Sequence, residues 1–415
     1  MRACMIMSEL TQIRQMFPVL SRKVHGKNLV YFDNAATSQR PQSVVDIWTR
    51  ISSYSNANIH RAVHCLADEA TSEYEQTRDV VREFINAGRR EEIIFTSGAT
   101  ASINLVAFSF GEAFIGEGDE VIVTEAEHHS NIVPWQMMCL RKGSSLKVLP
   151  VDDHGHLVVD ALEELITDRT RILALTHISN VLGIVNPVKE VISICHSKGV
   201  PVLVDGAQGI VHSRVDVQDM DCDFYAFSGH KMYAATGTGV LYGKKKYLDM
   251  MPPYMGGGEM VGNVSFAHTS FAPLPMKFEA GTQNFSSIPT LKPAIDTVKL
   301  LNDKELEQNL NKIRDYLLGY FVSDPRITLY GVPRGTNDEK IPLFSFTVDS
   351  VHHEDLALIL DKMGIAVRSG QMCAEPLMDR FGVTGMLRVS LAPYNTMEEA
   401  EYFVKCLNRA IDMLV

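Results

Sequence analysis

The chain has 415 residues, of which 46% are hydrophobic and 21% charged, enough apolar material for a large globular core. At roughly 150 residues per domain it has room for two or three domains, or for one large domain with an appendage. Its 39 basic and 50 acidic side chains give a formal charge of −11, which argues against nucleic acid or an anionic membrane as the main partner. Seven cysteines, an odd number with no C-x-x-C pair, point away from a disulfide framework or a zinc ribbon. They fit a reducing, cytoplasmic compartment. The apolar stretch in residues 1–8 is too short for a signal peptide, and Met7 offers an alternative start. No run approaches the ~18 apolar residues of a membrane span.

A helix-like stretch opens at Glu9. From Glu92 to Lys246, short β-rich runs alternate with segments of helical period. Strands are expected over Ile93–Thr96, Glu120–Thr124, Leu146–Pro150, Arg171–Thr176, Pro201–Asp205, Asp223–Ser228 and Gly239–Tyr242. Between several of them, Thr100–Phe114, Val159–Leu165 and Val188–Lys198 read as amphipathic helices. This alternation predicts an α/β domain built on a mostly parallel sheet, with ligands beyond the C-terminal strand ends. Pro252–Pro289 reads as a loop-rich connection. Beyond Leu300 the pattern changes to a long helix over Asp303–Phe321, then strands over Ile327–Gly331 and Leu343–Val348 and a helix over His353–Met363. Strands over Ile365–Arg368 and Met386–Leu391 and a final helix over Thr396–Leu414 complete a smaller α+β domain. The expected division is 21–299 for the large domain, with 1–20 and 300–415 forming the small one.

Five segments carry chemistry. In Ile94-Phe95-Thr96-Ser97-Gly98-Ala99-Thr100 a strand runs through small residues into a helix. Free amides at that helix start can hold a phosphate, or the turn can be a plain cap. In Glu127-His128-His129 the histidines can stack on a ring, transfer protons or sit structurally. His60 and His64 stand four apart, but with no acid at ligand spacing a metal is not expected. Asp205-Gly-Ala-Gln208 ends an apolar strand on an acid, which needs a partner there. Asp205 can pair with a pyridinium nitrogen or cap the next helix.

In Ser228-Gly-His-Lys231 a lysine sits at the mouth of the sheet, where a desolvated amine can form a Schiff base. A solvent-facing lysine is the plainer alternative. In the small domain, Arg368 and Arg388 can each clamp a carboxylate or join a surface ion pair. Cys373, on the loop between them, can be a nucleophile or inert.

The ordered set Asn34-Ala-Ala, His60-Arg61-x-x-His64, Glu127-His128-His129, Asn180-Val-Leu-Gly183, Asp205-Gly-Ala-Gln208, Ser228-Gly-His-Lys231, Glu279-Ala-Gly-Thr282, Arg368-Ser-Gly and Arg388 resembles the class V aminotransferase family. Within that family it is similar to the group II, SufS-like cysteine desulfurases, a branch that includes selenocysteine lyase-type activity. The likeness runs from about Phe17 to the C-terminus. It implies fold type I architecture and pyridoxal 5′-phosphate as cofactor. It further implies L-cysteine, or L-selenocysteine, as substrate and a sulfur acceptor of SufE or SufU type in iron–sulfur cluster assembly. The same cofactor would also serve an aminotransferase or a kynureninase-like lyase.

By that resemblance Lys231 carries the cofactor, Asp205 meets its pyridinium and Gln208 its ring hydroxyl. His128 stacks on the ring and can move protons. Thr100, Ser228 and His230 bind the phosphate together with the Ala99 amide, and Thr282 reaches in from a second subunit of a homodimer. Asn180 and Arg388 hold the substrate carboxylate, while Arg368, His60 and Arg61 line the pocket. Cys373 accepts the sulfur. Three positions depart from the family pattern: Gln371-Met372 replaces a frequent histidine pair, Ala234-Ala235 replaces Gly-Pro, and Ala99 replaces threonine. The second change predicts a less rigid loop after the lysine.

Overall fold

The computed structural model describes residues 10–61, 63–332 and 340–415, so the alternative start at Met7 lies outside the described residues. Seven strands form the main sheet in the order Ile93–Thr96, Gly239–Gly243, Phe224–Ser228, Val202–Asp205, Thr170–Thr176, Glu120–Thr124, Ser145–Leu149. Gly239–Gly243 alone runs antiparallel to its neighbours; the other strands share one direction. The fold is therefore the expected α/β arrangement with a mostly parallel sheet.

Its strands are apolar on both faces because both faces are covered. Val121, Leu203 and Phe224 point to one side, where they meet Ile103, Val106 and Phe110 of helix Ala99–Phe114 and the ring of Trp135. Their chain neighbours Ile122, Val204 and Tyr225 point to the other side, toward Val191 and Cys195 of helix Val188–Ser197 and Tyr74 and Val81 of helix Cys65–Phe84. The period of two thus places successive residues of one strand in two separate cores.

The C-terminal region forms an antiparallel four-stranded sheet in the order Ile327–Tyr330, Leu343–Val348, Met386–Ser390, Arg368–Gly370. Phe321, Phe344, Phe346 and Phe403 fill its core. Helix Lys304–Ser323 is capped by Asp303, and helix Met397–Leu414 starts on a reciprocal Thr396–Glu399 capping box. The N-terminal segment is stitched to this unit: Val30–Tyr31 pairs in parallel with Ile365–Ala366, and Arg14 bonds Glu399 and the Tyr394 carbonyl.

Two local expectations change. The strand expected over Ile365–Arg368 divides at Val367: Ile365–Ala366 pairs with the N-terminal segment and Arg368–Gly370 with the four-stranded sheet. The loop-rich Pro252–Pro289 contains a hairpin, Val261–Val264 with Thr269–Phe271. Gly262 and Asn263 weaken its strand signal, and its side chains are half-buried or exposed, so no alternation marks it. Among the described residues no helix is long and apolar enough to cross a membrane.

One buried ion pair ties the start of the sheet to this connection. Arg78, fully buried, donates to both oxygens of Glu279 at 2.6 and 2.9 Å. Glu279 also accepts the Phe95 amide at 2.8 Å and the Tyr74 hydroxyl at 3.1 Å. Removing one partner strands the other charge, so Arg78→Met is expected to cost about 3–5 kcal/mol in urea unfolding. Arg78→Met/Glu279→Gln is expected to recover a large part of that loss. A double variant as unstable as the single one would show that packing, not the stranded carboxylate, sets the cost.

Candidate active site

Five strands end along one edge of the main sheet, and each end delivers part of one cavity. After Thr96 come Gly98 and helix Ala99–Phe114; after Thr124, His128; after Thr176, Asn180; then Asp205 and Ser228 themselves. The cavity measures about 570 Å³. It gathers Ala99, Thr100, His128, Asn180, Asp205, Gln208, Ser228, His230 and Lys231 from the main-sheet side with Arg368, Cys373 and Arg388 from the C-terminal region.

At its floor, Asp205 is 5% exposed and its Oδ1 accepts the Ala207 amide at 2.9 Å. This is a local Asx contact and not a helix cap, since the short helix Gly209–His212 begins beyond Gln208. Burial pushes the Asp205 carboxyl pKa up, and the charge of Lys231 opposes that shift. Burial pushes the Lys231 ammonium pKa down, with Asp205 opposing and Arg388 reinforcing the fall. Gln208 is held by the Ala35 carbonyl at 2.8 Å.

His128 lies in the wall. Burial, with Lys231 nearby, lowers its pKa to about 4, so the imidazole is neutral at pH 7. Its Nδ1 accepts the Ser130 amide at 3.0 Å, which leaves the ring proton on Nε2. His230 is likewise lowered to about 4 by burial, with Lys231 and Arg40 adding to the effect.

At the phosphate end, Gly98 and Gly239 pack backbone against backbone. A Cβ on Gly239 would lie 2.3 Å from the Gly98 Cα, so that position needs glycine, while Gly98 has a φ of +154° that favours glycine. The Ser228 hydroxyl accepts the Ala99 amide at 2.8 Å and Thr100 Oγ1 meets Ser130 Oγ at 2.7 Å. Hydroxyls, a neutral imidazole and a helix N-terminus face the cavity. With a buried carboxylate and a lysine at the other end, this donor set fits pyridoxal phosphate.

Cys373 sits over the opposite rim. Met372 and Cys373 both have φ of +55°, a left-handed pair that non-glycine residues seldom adopt. Three contacts hold them there. The Cys373 carbonyl accepts the His129 amide at 2.7 Å, the Met372 carbonyl accepts Asn180 Nδ2 at 2.9 Å, and the Gln371 carbonyl accepts the Ala374 amide at 3.0 Å. The thiol is exposed. Cys139, Cys195, Cys222 and Cys406 are buried, and burial raises the first three thiols further from ionisation.

Arg388 is 3% exposed and donates to the Asn180 carbonyl at 2.9 Å, while its Nε has no partner. The loop after Lys231 is well anchored despite Ala234-Ala235. Both alanines are buried, and their amides bond to the Gly229 carbonyl and to Thr290 Oγ1. These two bonds, one to backbone and one to a side chain, anchor the segment that lacks the Gly-Pro pair. Gln371 reaches Glu375 at 3.2 Å.

Three candidates lie outside this cavity. His60 faces Glu75 at 3.6 Å, Arg61 pairs with Glu259 at 2.6 Å, and Thr282 is exposed on the segment that Glu279 anchors. Among the described residues no group of three or more His, Cys, Asp or Glu is placed to hold a metal. Two residues near the site had no assigned role. Asp33 bridges Arg368 and Arg388. Glu127 is fully buried against Thr124, Asn131 and the Thr176 amide, and burial pushes its pKa up to about 8. Its place beside His128 was the only signal for it.

The family profile for class-V aminotransferases matches residues 30–403. The chain is 45% identical over 401 residues to the cysteine desulfurase of Cronobacter sakazakii, covering 96% of this chain and 98% of that one. The crystal structure of the cysteine desulfurase CsdA from Escherichia coli superposes with a TM-score of 0.88 at 39% identity, covering 98% and 99% of the two chains. The apo structure of the cysteine desulfurase from Thermococcus onnurineus gives 0.90 at 34% identity, covering 97% and 98%. The fold is thus that of the pyridoxal phosphate-dependent enzymes of this type, and the chain belongs to the class-V aminotransferase family, among its cysteine desulfurases.

Proposed function

We propose that this chain is a group II, SufS-like cysteine desulfurase that converts L-cysteine to L-alanine and passes the sulfur, as a persulfide on Cys373, to an acceptor protein. The observation that carries this reading is the exposed Cys373 thiol, on a pinned left-handed turn, at the rim of the cavity that contains Lys231 and Asp205. An aminotransferase needs no thiol there. L-Selenocysteine is a second substrate for the same site, since it differs only in the chalcogen. An acceptor of SufE or SufU type, iron–sulfur cluster assembly, a cytoplasmic setting and a homodimer completed by Thr282 belong to the same reading.

Pyridoxal phosphate, bound between Asp205, His128 and the glycine-lined helix start, supplies an electron sink for bond breaking at the substrate's Cα. Lys231, whose ammonium pKa burial lowers, takes the Cα proton on Nζ. Neutral His128 carries a proton on Nε2 and can exchange it with the substrate. Arg388 and Asn180 orient the substrate carboxylate. Cys373 Sγ, as thiolate, bonds to the substrate sulfur as that sulfur's bond to Cβ breaks. The electron pair of the broken bond stays with the carbon skeleton, which takes up a proton and leaves as alanine.

Cys373→Ala is expected to lower sulfide and alanine release from L-cysteine by about a hundredfold or more, with the amino acid still bound. Full turnover in that variant would refute the persulfide step. His128 is expected to titrate near pH 4 in histidine-selective NMR, identified by loss of its signal in His128→Gln. The sign follows from burial, which disfavours the cation and lowers the pKa. A midpoint above 6 would remove the neutral-imidazole role.

A further inference from the structure

Cys373 stands just before helix Glu375–Phe381, and the start of that helix cannot cap itself. Its N-cap residue is Ala374, whose side chain has no acceptor to offer. Pro376 follows at the second helical position and has no amide proton. The Leu377 amide turns back to the Ala374 carbonyl at 3.1 Å. The Glu375 amide is therefore the first-turn donor that needs an acceptor from elsewhere.

His129 supplies it. Its Nε2 accepts the Glu375 amide at 3.0 Å, which requires a neutral ring with its proton on Nδ1. The backbone amide of the same residue donates to the Cys373 carbonyl at 2.7 Å. One residue of the main-sheet side thus grips the chain at Cys373 and again where the helix begins. His129 is itself tied down from both sides. Glu127 accepts Asn131 Nδ2 at 2.6 Å, and His128 Nδ1 accepts the Ser130 amide at 3.0 Å. The grip meets a need, because Met372 and Cys373 keep their positive φ only where contacts impose it. Asn180 holds the turn at the Met372 carbonyl, and the imidazole holds it where it passes into the helix.

We propose that His129 is a positioning residue for the sulfur-accepting thiol. Its ring caps helix Glu375–Phe381 from outside the loop and so holds the turn that presents Cys373 to the substrate sulfur. It works through its acceptor nitrogen and transfers no proton, in contrast with His128, whose Nε2 carries one. The inference rests on the reading of Cys373 as sulfur acceptor under Proposed function.

The test compares His129→Gln with His129→Phe. Glutamine places its amide oxygen as many bonds from Cα as histidine places Nε2, but it does not exchange protons at neutral pH. Phenylalanine keeps a ring and loses the acceptor. Hydrogen exchange in the peptide that contains Glu375 is followed by mass spectrometry on the cofactor-free protein. On the holoenzyme, kcat and KM for L-cysteine and the visible spectrum of the cofactor are measured. The bond lies at the surface, so modest effects are expected. His129→Phe is expected to speed exchange at Glu375 and to lower kcat, each by about fivefold, with KM within about twofold and the spectrum unchanged. His129→Gln is expected to stay within about twofold of the wild type in every measurement.

A His129→Gln enzyme as slow as His129→Phe would show that the ring moves a proton, and overturns the proposal. Unchanged exchange or unchanged kcat in His129→Phe overturns it too. So does a KM that rises at constant kcat, or a shifted spectrum, which would place the effect at substrate binding or at His128. If His129→Phe does not fold, His129→Asn, whose amide oxygen stops one bond short, takes its place. Full turnover by Cys373→Ala would instead strike the persulfide reading and leave the exchange result untouched.

Discussion

The site is organised around one constraint: Asp205 and Lys231 are both withdrawn from water at the same strand ends. Burial pushes each toward its neutral form, and each one's charge pulls the other back. Burial and Arg388 ease the loss of the lysine proton, and Asp205 works against it. Asp205 is buried and Lys231 half-buried, and apolar or uncharged groups surround most of the pair. The strands beneath are apolar on both faces, Gly98 and Gly239 close one end by backbone contact, and neutral imidazoles stand where charged ones would draw in water.

The second half of the site comes from another sheet, and the seam between the two halves is polar and specific. Asn180 follows a main-sheet strand, yet its amide holds the Met372 carbonyl and its carbonyl holds Arg388. The His129 amide, one residue past His128, holds the Cys373 carbonyl. These bonds fix the left-handed turn that lifts the thiol over the cavity. The unusual backbone at Met372 and Cys373 is thus held by two contacts from the main-sheet side and one within the loop.

That origin explains what could be read from the sequence. The seven main strands were legible because buried parallel strands are apolar throughout and are separated by helices of clear period. Asp205 and Lys231 stood out because a charge at the end of such a strand needs a reason. The hairpin Val261–Phe271 was hidden by glycine and by exposure, and the break at Val367 by a run that stays apolar while it changes sheets. Asp33 was hidden for a different reason. Its partners lie more than 330 residues away, and an aspartate before Asn34-Ala-Ala has no local feature that announces two arginines. The bond from the Ala235 amide to Thr290 was likewise hidden, because Thr290 is distant in sequence.

The register of Arg368 against Arg388 has a mechanical meaning. The two arginines and the thiol loop that follows Gly370 ride on one pair of neighbouring strands, whereas Lys231 and Asp205 ride on the other sheet. The thiol turn is nonetheless pinned from that other sheet, by Asn180 and by the His129 amide. Sliding one sheet against the other would break those bonds and release the left-handed turn that carries the thiol.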